Sequence, residues 1–113
     1  MTSRGRFAPR PTGLTHLGTA STALLAWLSV RARRGAYVMR MEDLDRRRVV
    51  AGSADGILGD LRWFGLDWDE GPDVGGPHAP YAQSERGPRY AAAFENLRTA
   101  GLVYPCFCSR KDI

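Results

Sequence analysis

A histidine and a glycine stand where a helix is predicted to begin, in the sequence HLG at residues 16–18. The start of a helix presents unpaired backbone N–H groups and the positive end of the helix dipole, so it attracts anions. His16 can donate a hydrogen bond to a phosphate oxygen, while Gly18 lets a flat base approach the backbone. The pair therefore indicates a nucleotide site. The competing interpretation is that His16 only caps the helix or packs against it.

Two polar stretches each follow a predicted strand and extend this candidate site. The loop APRPTG, residues 8–13, comes after the first strand, and EDLD, residues 42–45, comes after the second. In parallel α/β sheets, ligands bind beyond the carboxyl ends of the strands, so we expect both stretches at one edge of the sheet. The first loop has neither the dinucleotide fingerprint GxGxxG nor the phosphate loop GxxxxGK[ST], so the sequence predicts a nucleotide site of another kind.

Alternating strands and helices must position these residues. Apolar residues at helical spacing predict three helices, at about residues 16–34, 53–65 and 88–101. Three strands are predicted at residues 5–9, 36–41 and 102–108. Ser53 is the predicted cap of the second helix, and Pro88 lies in the first turn of the third. This order predicts an α/β fold, a Rossmann-like parallel sheet with crossover helices.

The composition is that of one small folded domain. The chain has 113 residues, of which 43% are hydrophobic and 25% are charged. The predicted core includes Trp27, Trp63, Phe64, Tyr90, Phe94 and Leu97. The net charge of +4 favours an anionic partner. No apolar run is long enough to span a bilayer, and the N-terminus lacks the apolar centre of a signal peptide, so we expect a cytoplasmic protein without a membrane partner.

Three longer stretches resemble the catalytic domain of the glutamyl class I aminoacyl-tRNA synthetases. They are RFAPRPTGLTHLGTASTALLAWL, MRMEDLDRRR and LRWFGLDWDEGPDVGGPHAPYAQSERGPRY, in the order and at the spacing of that family. HLGT resembles the family's form of the class I signature His-x-Gly-His, with Thr19 in the last place. The resemblance runs from about Gly5 to Ile113. It implies a catalytic domain that activates glutamate with ATP and Mg²⁺.

The resemblance also implies roles for individual residues. His16 and Gly18 would hold ATP and stabilise the charge that develops as its α-phosphate is attacked. Arg6 would bind a substrate carboxylate, and Glu42 would bind the α-amino group. The implied ATP site comprises Pro9, Thr12, Gly13, His16, Gly18 and Thr19. The implied glutamate site comprises Arg6, Ala8, Arg10 and Glu42.

Arg10 departs from the family pattern, which has serine in APSPTG where this chain has APRPTG. A long cation at this position would crowd the amino-acid pocket or bind an additional anion, so the usual affinity for glutamate does not follow from the resemblance. Asp43 and Asp45, both in EDLD, would either orient the site or cap the next turn.

Two branches of the family fit the chain. Ordinary glutamyl-tRNA synthetases charge the 3′ end of tRNA(Glu), whereas glutamyl-queuosine tRNA(Asp) synthetases attach glutamate to queuosine in the anticodon of tRNA(Asp). EDLD and the ending GLVYPCFCSRKDI favour the second branch, in which a C-x-C pair begins a zinc site. Some ordinary glutamyl enzymes also carry C-x-C here, and the stretch GPDVGGPHAPYAQSER resembles them. Cys106 and Cys108 are therefore candidate ligands of Zn²⁺. The alternative is that both thiols are buried at the end of a strand.

The resemblance covers only the first part of the family's catalytic domain. We expect residues 1–113 to form one partial domain, without a second domain, and we expect the full-length protein to be a monomer. The family's second signature loop and its anticodon-binding domain have no counterpart in this sequence. A different class of function stays open, an inactive remnant that binds tRNA or another anion. Its contacts would be Arg31, Arg33, Arg34, Arg46, Arg47 and Arg48.

Overall fold

A computed structural model describes residues 3–112 of the chain. Its two strands are β1, Arg4–Phe7, and β2, Ala36–Met39. Its three helices are α1, Leu17–Arg31, α2, Ser53–Trp63, and α3, Gly87–Thr99. A short 3₁₀ helix, Gln83–Arg86, leads directly into α3. No helix in this described part of the chain is long and apolar enough to cross a membrane.

The two strands form a parallel sheet, and α1 is the crossover helix that connects them. Residues 4–7 of β1 pair in register with residues 36–39 of β2. On the other side of β2, isolated parallel bridges join Val38 to Glu70 and Met41 to Ala82. The predicted α/β fold, with parallel strands and a crossover helix, is therefore confirmed.

The core lies between the sheet and the first two helices. Tyr37, Met39 and Leu61 are fully buried. The Tyr37 hydroxyl donates a hydrogen bond of 2.9 Å to the carbonyl oxygen of Ala23, which satisfies its polar atom inside the core. Burial raises the pKa of Tyr37 to about 12, so this phenol stays a hydrogen-bond donor even where an exposed tyrosine would begin to ionise.

Helix α1 approaches β1 closely because residue 5 is glycine. A Cβ atom added to Gly5 would lie 2.0 Å from Cγ2 of Val30, a buried residue near the end of α1. No side chain fits in that space unless the helix moves away from the strand. Gly5 therefore fixes the distance between the first strand and the helix whose start carries the HLG motif.

An ionic network around the buried Glu70 attaches the segment after α2 to the edge of the sheet. The Glu70 carboxylate accepts a hydrogen bond of 2.6 Å from Arg4 and one of 2.5 Å from the Tyr81 hydroxyl. The hydrogen bond from Tyr81, assisted by the charge of Arg4, holds the pKa of Glu70 below its ordinary value. The network fixes both ends of the 70–81 segment beside β2.

Two predictions about the C-terminal part of the chain are wrong. Residues 102–108 do not form a strand, and Pro105, which has no N–H group to donate, lies among them. Helix α3 is present, but none of its residues is buried within the described part of the chain. Its main contacts are with the 3₁₀ helix before it. Three side chains predicted to face inward are therefore exposed: Tyr90, Phe94 and Leu97.

The second helix differs from its prediction at both ends. Gly52, with a φ of 77°, is the residue before its first turn, and Ser53 is the first helical residue rather than the cap. At the other end, Trp63 is 89% exposed and Phe64 is exposed as well, so neither belongs to the core. Trp27 is the predicted aromatic residue that does pack against the core, where it is partly buried.

Candidate functional site

A cavity of about 600 Å³ lies at the carboxyl ends of β1 and β2, where the sequence predicts a ligand site. Its wall is built mainly from the β1–α1 loop and the first turns of α1, with Glu42 from beyond β2 and Ile57 from α2. Every residue of the implied ATP and glutamate sites except Arg6 contributes to this wall: Ala8, Pro9, Arg10, Thr12, Gly13, His16, Gly18, Thr19 and Glu42. Two stretches about 30 residues apart in sequence therefore meet in one cavity.

His16 caps helix α1 and also lines the cavity. Its backbone is extended, and its Nδ1 atom accepts a hydrogen bond of 3.3 Å from the backbone N–H of Thr19. Its Nε2 atom lies 3.1 Å from the Thr19 hydroxyl oxygen. Because Nδ1 accepts, the neutral imidazole carries its proton on Nε2 and can donate from there. In this structure that proton faces the Thr19 hydroxyl, so a ligand would take the Nε2 donor from Thr19 while Nδ1 keeps the cap.

Gly18 is the residue that lets the histidine adopt this position. A Cβ atom at residue 18 would lie 3.1 Å from both Cε1 and Nδ1 of the His16 ring, which is closer than most side-chain contacts. The ring can therefore fold over the first turn of the helix because residue 18 has no side chain. This gives a physical reason for the spacing His-x-Gly that does not depend on a ligand.

The loop before α1 is held by a residue that the sequence did not mark as part of the site. The Ser53 hydroxyl accepts a hydrogen bond of 3.1 Å from the N–H of Gly13 and donates one of 2.6 Å to its carbonyl oxygen. The carbonyl oxygen of Pro11, a fully buried residue, accepts from the N–H of Val50. The region around the start of α2 thus anchors the cavity wall. A serine at a helix start was visible in the sequence, but its distant partner was not.

Glu42 reaches the cavity because backbone pairing continues past the two strands. Its N–H donates a hydrogen bond of 2.9 Å to the carbonyl oxygen of Pro9, in line with the pairing of β1 and β2. Oε1 of its carboxylate accepts a hydrogen bond of 2.7 Å from Arg40. Oε2 lies 3.7 Å from Nε of Arg10. The predicted partner of an α-amino group is therefore already flanked by two cations.

Asp43 caps the 3₁₀ helix and does not line either cavity that contains Glu42. Its carboxylate accepts hydrogen bonds of 2.8 Å from the Ser84 N–H and 2.5 Å from the Ser84 hydroxyl. The backbone next to it is held by the same segment, because the N–H of Met41 donates to the carbonyl oxygen of Tyr81. Asp43 therefore does not cap the turn that follows EDLD; its carboxylate connects the backbone beside Glu42 to the distant 3₁₀ helix.

A second cavity of about 400 Å³ adjoins the first and shares Arg10, Thr12 and Glu42 with it. Asp45 lines this second cavity and lies 3.5 Å from Arg48 in an exposed ion pair. Arg10 and Glu42 therefore stand at the boundary between the two cavities.

The remaining predicted ligands lie outside these cavities. Arg6 is an exposed residue of β1 and does not contribute to the cavity wall. Cys106 and Cys108 are exposed free thiols rather than buried residues of a strand. Within residues 3–112 no group of three or more His, Cys, Asp or Glu side chains could hold a metal ion, so the structure does not support the predicted Zn²⁺ site.

One of the arginines considered for nucleic-acid binding has partners inside the protein. Arg31 makes ion pairs of 3.0 Å with Asp67 and 2.7 Å with Asp69. Its guanidinium also lies 6.0 Å from the centre of the Trp27 ring. Arg31 therefore connects the end of α1 to the loop after α2 and is a poor candidate for a phosphate contact.

Comparison with known proteins gives concordant results. Residues 2–113 match the family described as tRNA synthetases class I (E and Q), catalytic domain. The glutamyl-Q tRNA(Asp) synthetase of Symbiobacterium thermophilum is 56% identical over 109 residues, which cover 96% of this chain and 34% of that protein. The glutamate–tRNA ligase 1 of Syntrophomonas wolfei is 53% identical over 110 residues, which cover 97% of this chain and 22% of that protein. The chain thus spans about a third or less of the length of these relatives.

The fold is shared as well. The chain is similar to the crystal structure of a glutamate tRNA ligase from Elizabethkingia meningosepticum in complex with its amino acid, with a TM-score of 0.90 and 40% sequence identity. The similarity covers 99% of this chain and 22% of the ligase chain. The predicted family is therefore confirmed by sequence and by backbone. This protein belongs to the class I tRNA synthetases (E and Q), and residues 2–113 match the family's catalytic domain.

Proposed function

We propose that this chain forms the part of a glutamate-activating ligase that binds ATP and the α-amino group of the amino acid. The observation that carries the proposal is the 600 Å³ cavity in which the start of α1, the β1–α1 loop and Glu42 meet. A helix start supplies N–H donors for phosphate, and Glu42 supplies the negative charge that an ammonium group requires. Family membership supports the same conclusion.

Activation of glutamate needs no nucleophile from the protein. A carboxylate oxygen of glutamate attacks the α-phosphorus of ATP, a new P–O bond forms, and pyrophosphate leaves with the electron pair of the broken bond. The contribution of the protein is positioning and electrostatic stabilisation. In this chain the N–H groups at the start of α1 and the Arg10 guanidinium line the cavity as donors for the developing negative charge, and Nε2–H of His16 would join them by leaving the Thr19 hydroxyl. Mg²⁺ would enter with ATP as a counter-ion of its phosphates.

We assign recognition of the amino acid to Glu42 before Arg6. Glu42 lines the cavity beside the nucleotide-binding loop, whereas Arg6 lies outside its wall. The ammonium group of glutamate would approach Oε2 of Glu42, since Oε1 already accepts a hydrogen bond from Arg40. The α-carboxylate would then lie on the side of the cavity formed by His16 and Gly18.

For the acceptor, we favour queuosine in tRNA(Asp). The support is the EDLD sequence, the C-x-C pair and identities of 56% and 54% to two glutamyl-Q tRNA(Asp) synthetases. Ordinary charging of tRNA(Glu) is the second candidate, because glutamate–tRNA ligases reach 53% identity. Selective binding of queuosine-containing tRNA(Asp) over its unmodified form would distinguish the two.

A pair of substitutions at residue 16 tests the nucleotide site. Asn is a good helix cap, so His16→Asn keeps the capping hydrogen bond and loses the imidazole, whereas His16→Ala loses both. We expect His16→Asn to reduce affinity for ATP about tenfold, with unchanged thermal stability, because one hydrogen bond to a charged phosphate is lost. Isothermal titration of ATP, and of non-hydrolysable glutamyl- and aspartyl-adenylate analogues, into the 113-residue chain measures this effect.

The two variants separate the ligand role from the capping role. If His16→Asn binds ATP as well as the unaltered chain does, the imidazole serves only as a cap and the assignment of His16 is wrong. If the glutamyl and aspartyl analogues bind equally, the site does not select glutamate. Salt-sensitive tRNA binding without any affinity for ATP would instead favour the inactive anion-binding remnant.

A further inference from the structure

The two oxygens of the Glu42 carboxylate have arginine partners of different kinds. Arg40 is 24% exposed in its side chain and donates a hydrogen bond of 2.7 Å to Oε1. Arg10 is 72% exposed and lies 3.7 Å from Oε2, beyond hydrogen-bond distance. Arg40 is therefore a fixed partner of Glu42. Arg10 is a loosely held counter-ion on the solvent side.

Arg10 lies beside Glu42 at the boundary between the two cavities. It lines both the larger and the smaller cavity, and it shares this boundary position with Glu42 and Thr12. Arg10, Arg40 and Glu42 together carry a net charge of +1, so the surroundings of Oε2 do not attract a further cation as a bare carboxylate would. An ammonium group at Oε2 has to displace the guanidinium or lie beside it.

We propose that Arg10 determines the specificity of this cavity by competing with the ligand's ammonium group for Glu42. The proposal rests on the proposed function, in which Glu42 binds the α-amino group of glutamate. Arg10 lowers affinity for ligands that carry that ammonium group and leaves affinity for the same ligands without it unchanged. An exposed ion pair is weak, so the competition is worth about a three- to tenfold difference in affinity.

Two probes and two substitutions at residue 10 test this competition. The probes are a non-hydrolysable glutamyl-adenylate analogue and its desamino counterpart, in which hydrogen replaces the α-ammonium group. We expect Arg10→Ser to raise affinity for the amino probe about three- to tenfold and to leave the desamino probe unchanged. Arg10→Lys keeps the charge and should keep most of the discrimination. In 1 M salt the gain should shrink, because exposed charges are screened.

Arg98→Ser is the matched control, since it removes one arginine of an exposed ion pair with glutamate, on α3 and outside the lining of both cavities. It should change neither affinity. An equal gain for both probes in Arg10→Ser would mean that Arg10 only occupies space, and a loss for both would mean that it binds the ligand; either result overturns the proposal.

Affinity for ATP, measured on the same samples, separates this proposal from the proposed function. If ATP binds and Arg10→Ser does not distinguish the two probes, only the role of Arg10 is refuted. If no variant binds ATP or either probe, including Arg10→Ser, both proposals fail.

Discussion

The first two helices and the third helix differ in burial although all three carry apolar side chains at helical spacing. Helices α1 and α2 bury five side chains in the core: Ala23, Val30, Ile57, Leu58 and Leu61. Helix α3 buries none within residues 3–112. Periodic apolar residues therefore indicate that a helix forms, but they do not specify which surface it packs against.

The larger cavity of the candidate site lies on the well-packed side of this comparison, whereas Arg110 of the C-terminal segment lines the smaller one. Its wall is attached to buried groups through Pro11, Ser53 and the backbone of Glu42. By contrast, residues 102–112 are almost all exposed and include both cysteines. Groups that must hold a ligand in a fixed geometry need such buried support. This is the physical reason to seek the chemistry of the described chain around α1 and not around α3.

The largest expected difference between the two regions comes from the same substitution made in α2 and in α3. Leu61 is fully buried, and Leu97 is 46% exposed. We expect Leu61→Ala to lower the free energy of unfolding by about 2–5 kcal/mol, because it removes buried apolar surface and leaves a cavity. We expect Leu97→Ala to change it by about 0.5 kcal/mol or less. Urea denaturation followed by circular dichroism measures both values.

Both substitutions replace leucine by alanine within a helix, so both raise helix propensity slightly and to the same extent. This term therefore cancels when the two free energies of unfolding are compared. If Leu97→Ala cost as much as Leu61→Ala, α3 would have to pack in solution against a surface with which it has no contact in this structure. The contrast between the two regions would then be wrong.

Much of the fold could be predicted from sequence because local rules agreed with the tertiary arrangement. The start of α1 at His16, the Pro88 turn and the two parallel strands all correspond to strong local signals. The predictions failed where an element also needs a distant segment to pair with or pack against. Residues 102–108 have the apolar composition of a strand, but a strand forms only when another strand accepts its hydrogen bonds. The same reason explains why Phe94 is exposed on a helix that does form.

The site was predictable to a similar extent. The carboxyl-edge rule correctly brought the β1–α1 loop and Glu42 into one cavity. The anchoring residues were not predictable, because the hydrogen bonds of Ser53 to Gly13 and of Ser84 to Asp43 join residues about 40 positions apart. A short side chain near a turn has many possible partners, and only the folded backbone selects one. Arg10 was visible as a departure from the family pattern, whereas its ion pair with Glu42 required the structure.

A smaller difference is expected from two glutamates that each pair with an arginine. Glu70 is buried and pairs with the half-exposed Arg4 and the buried Tyr81, whereas Glu95 and Arg98 are both exposed on α3. We expect Glu70→Gln to cost about 1.5–3 kcal/mol at pH 7, because the buried Tyr81 hydroxyl and the half-exposed Arg4 both lose a charged acceptor. Glu95→Gln should have no measurable effect, since an exposed pair within one helix contributes little. Urea unfolding at pH 7 compares the two.

The pH dependence sharpens the same prediction. The hydrogen bond from Tyr81, with the charge of Arg4, lowers the pKa of Glu70 in the folded state below the ordinary value of 4.5. Its contribution to stability is therefore complete above about pH 4.5 and is lost as the pH falls through the lower folded-state value. Stability of the unaltered chain should fall over that acid range, and the Glu70→Gln variant should show a shallower fall. An equally steep fall in the variant would mean that other carboxylates are responsible.

The smallest effect is expected at Cys106 and Cys108. Both thiols are exposed and lie in a segment without regular secondary structure or a set of metal ligands among residues 3–112. Two thiolates occupy only half of the four positions of a structural zinc ion, so the metal should add little to the stability of this chain. Replacing both cysteines by serine should change the free energy of unfolding by about 0.5 kcal/mol or less, with or without added Zn²⁺. A rise in melting temperature with Zn²⁺ that the double variant lacks would show that the metal orders residues 102–112. Residues 102–112 would then fold only when Zn²⁺ is bound. The difference in burial between this segment and the packed region would depend on the metal as well as on packing.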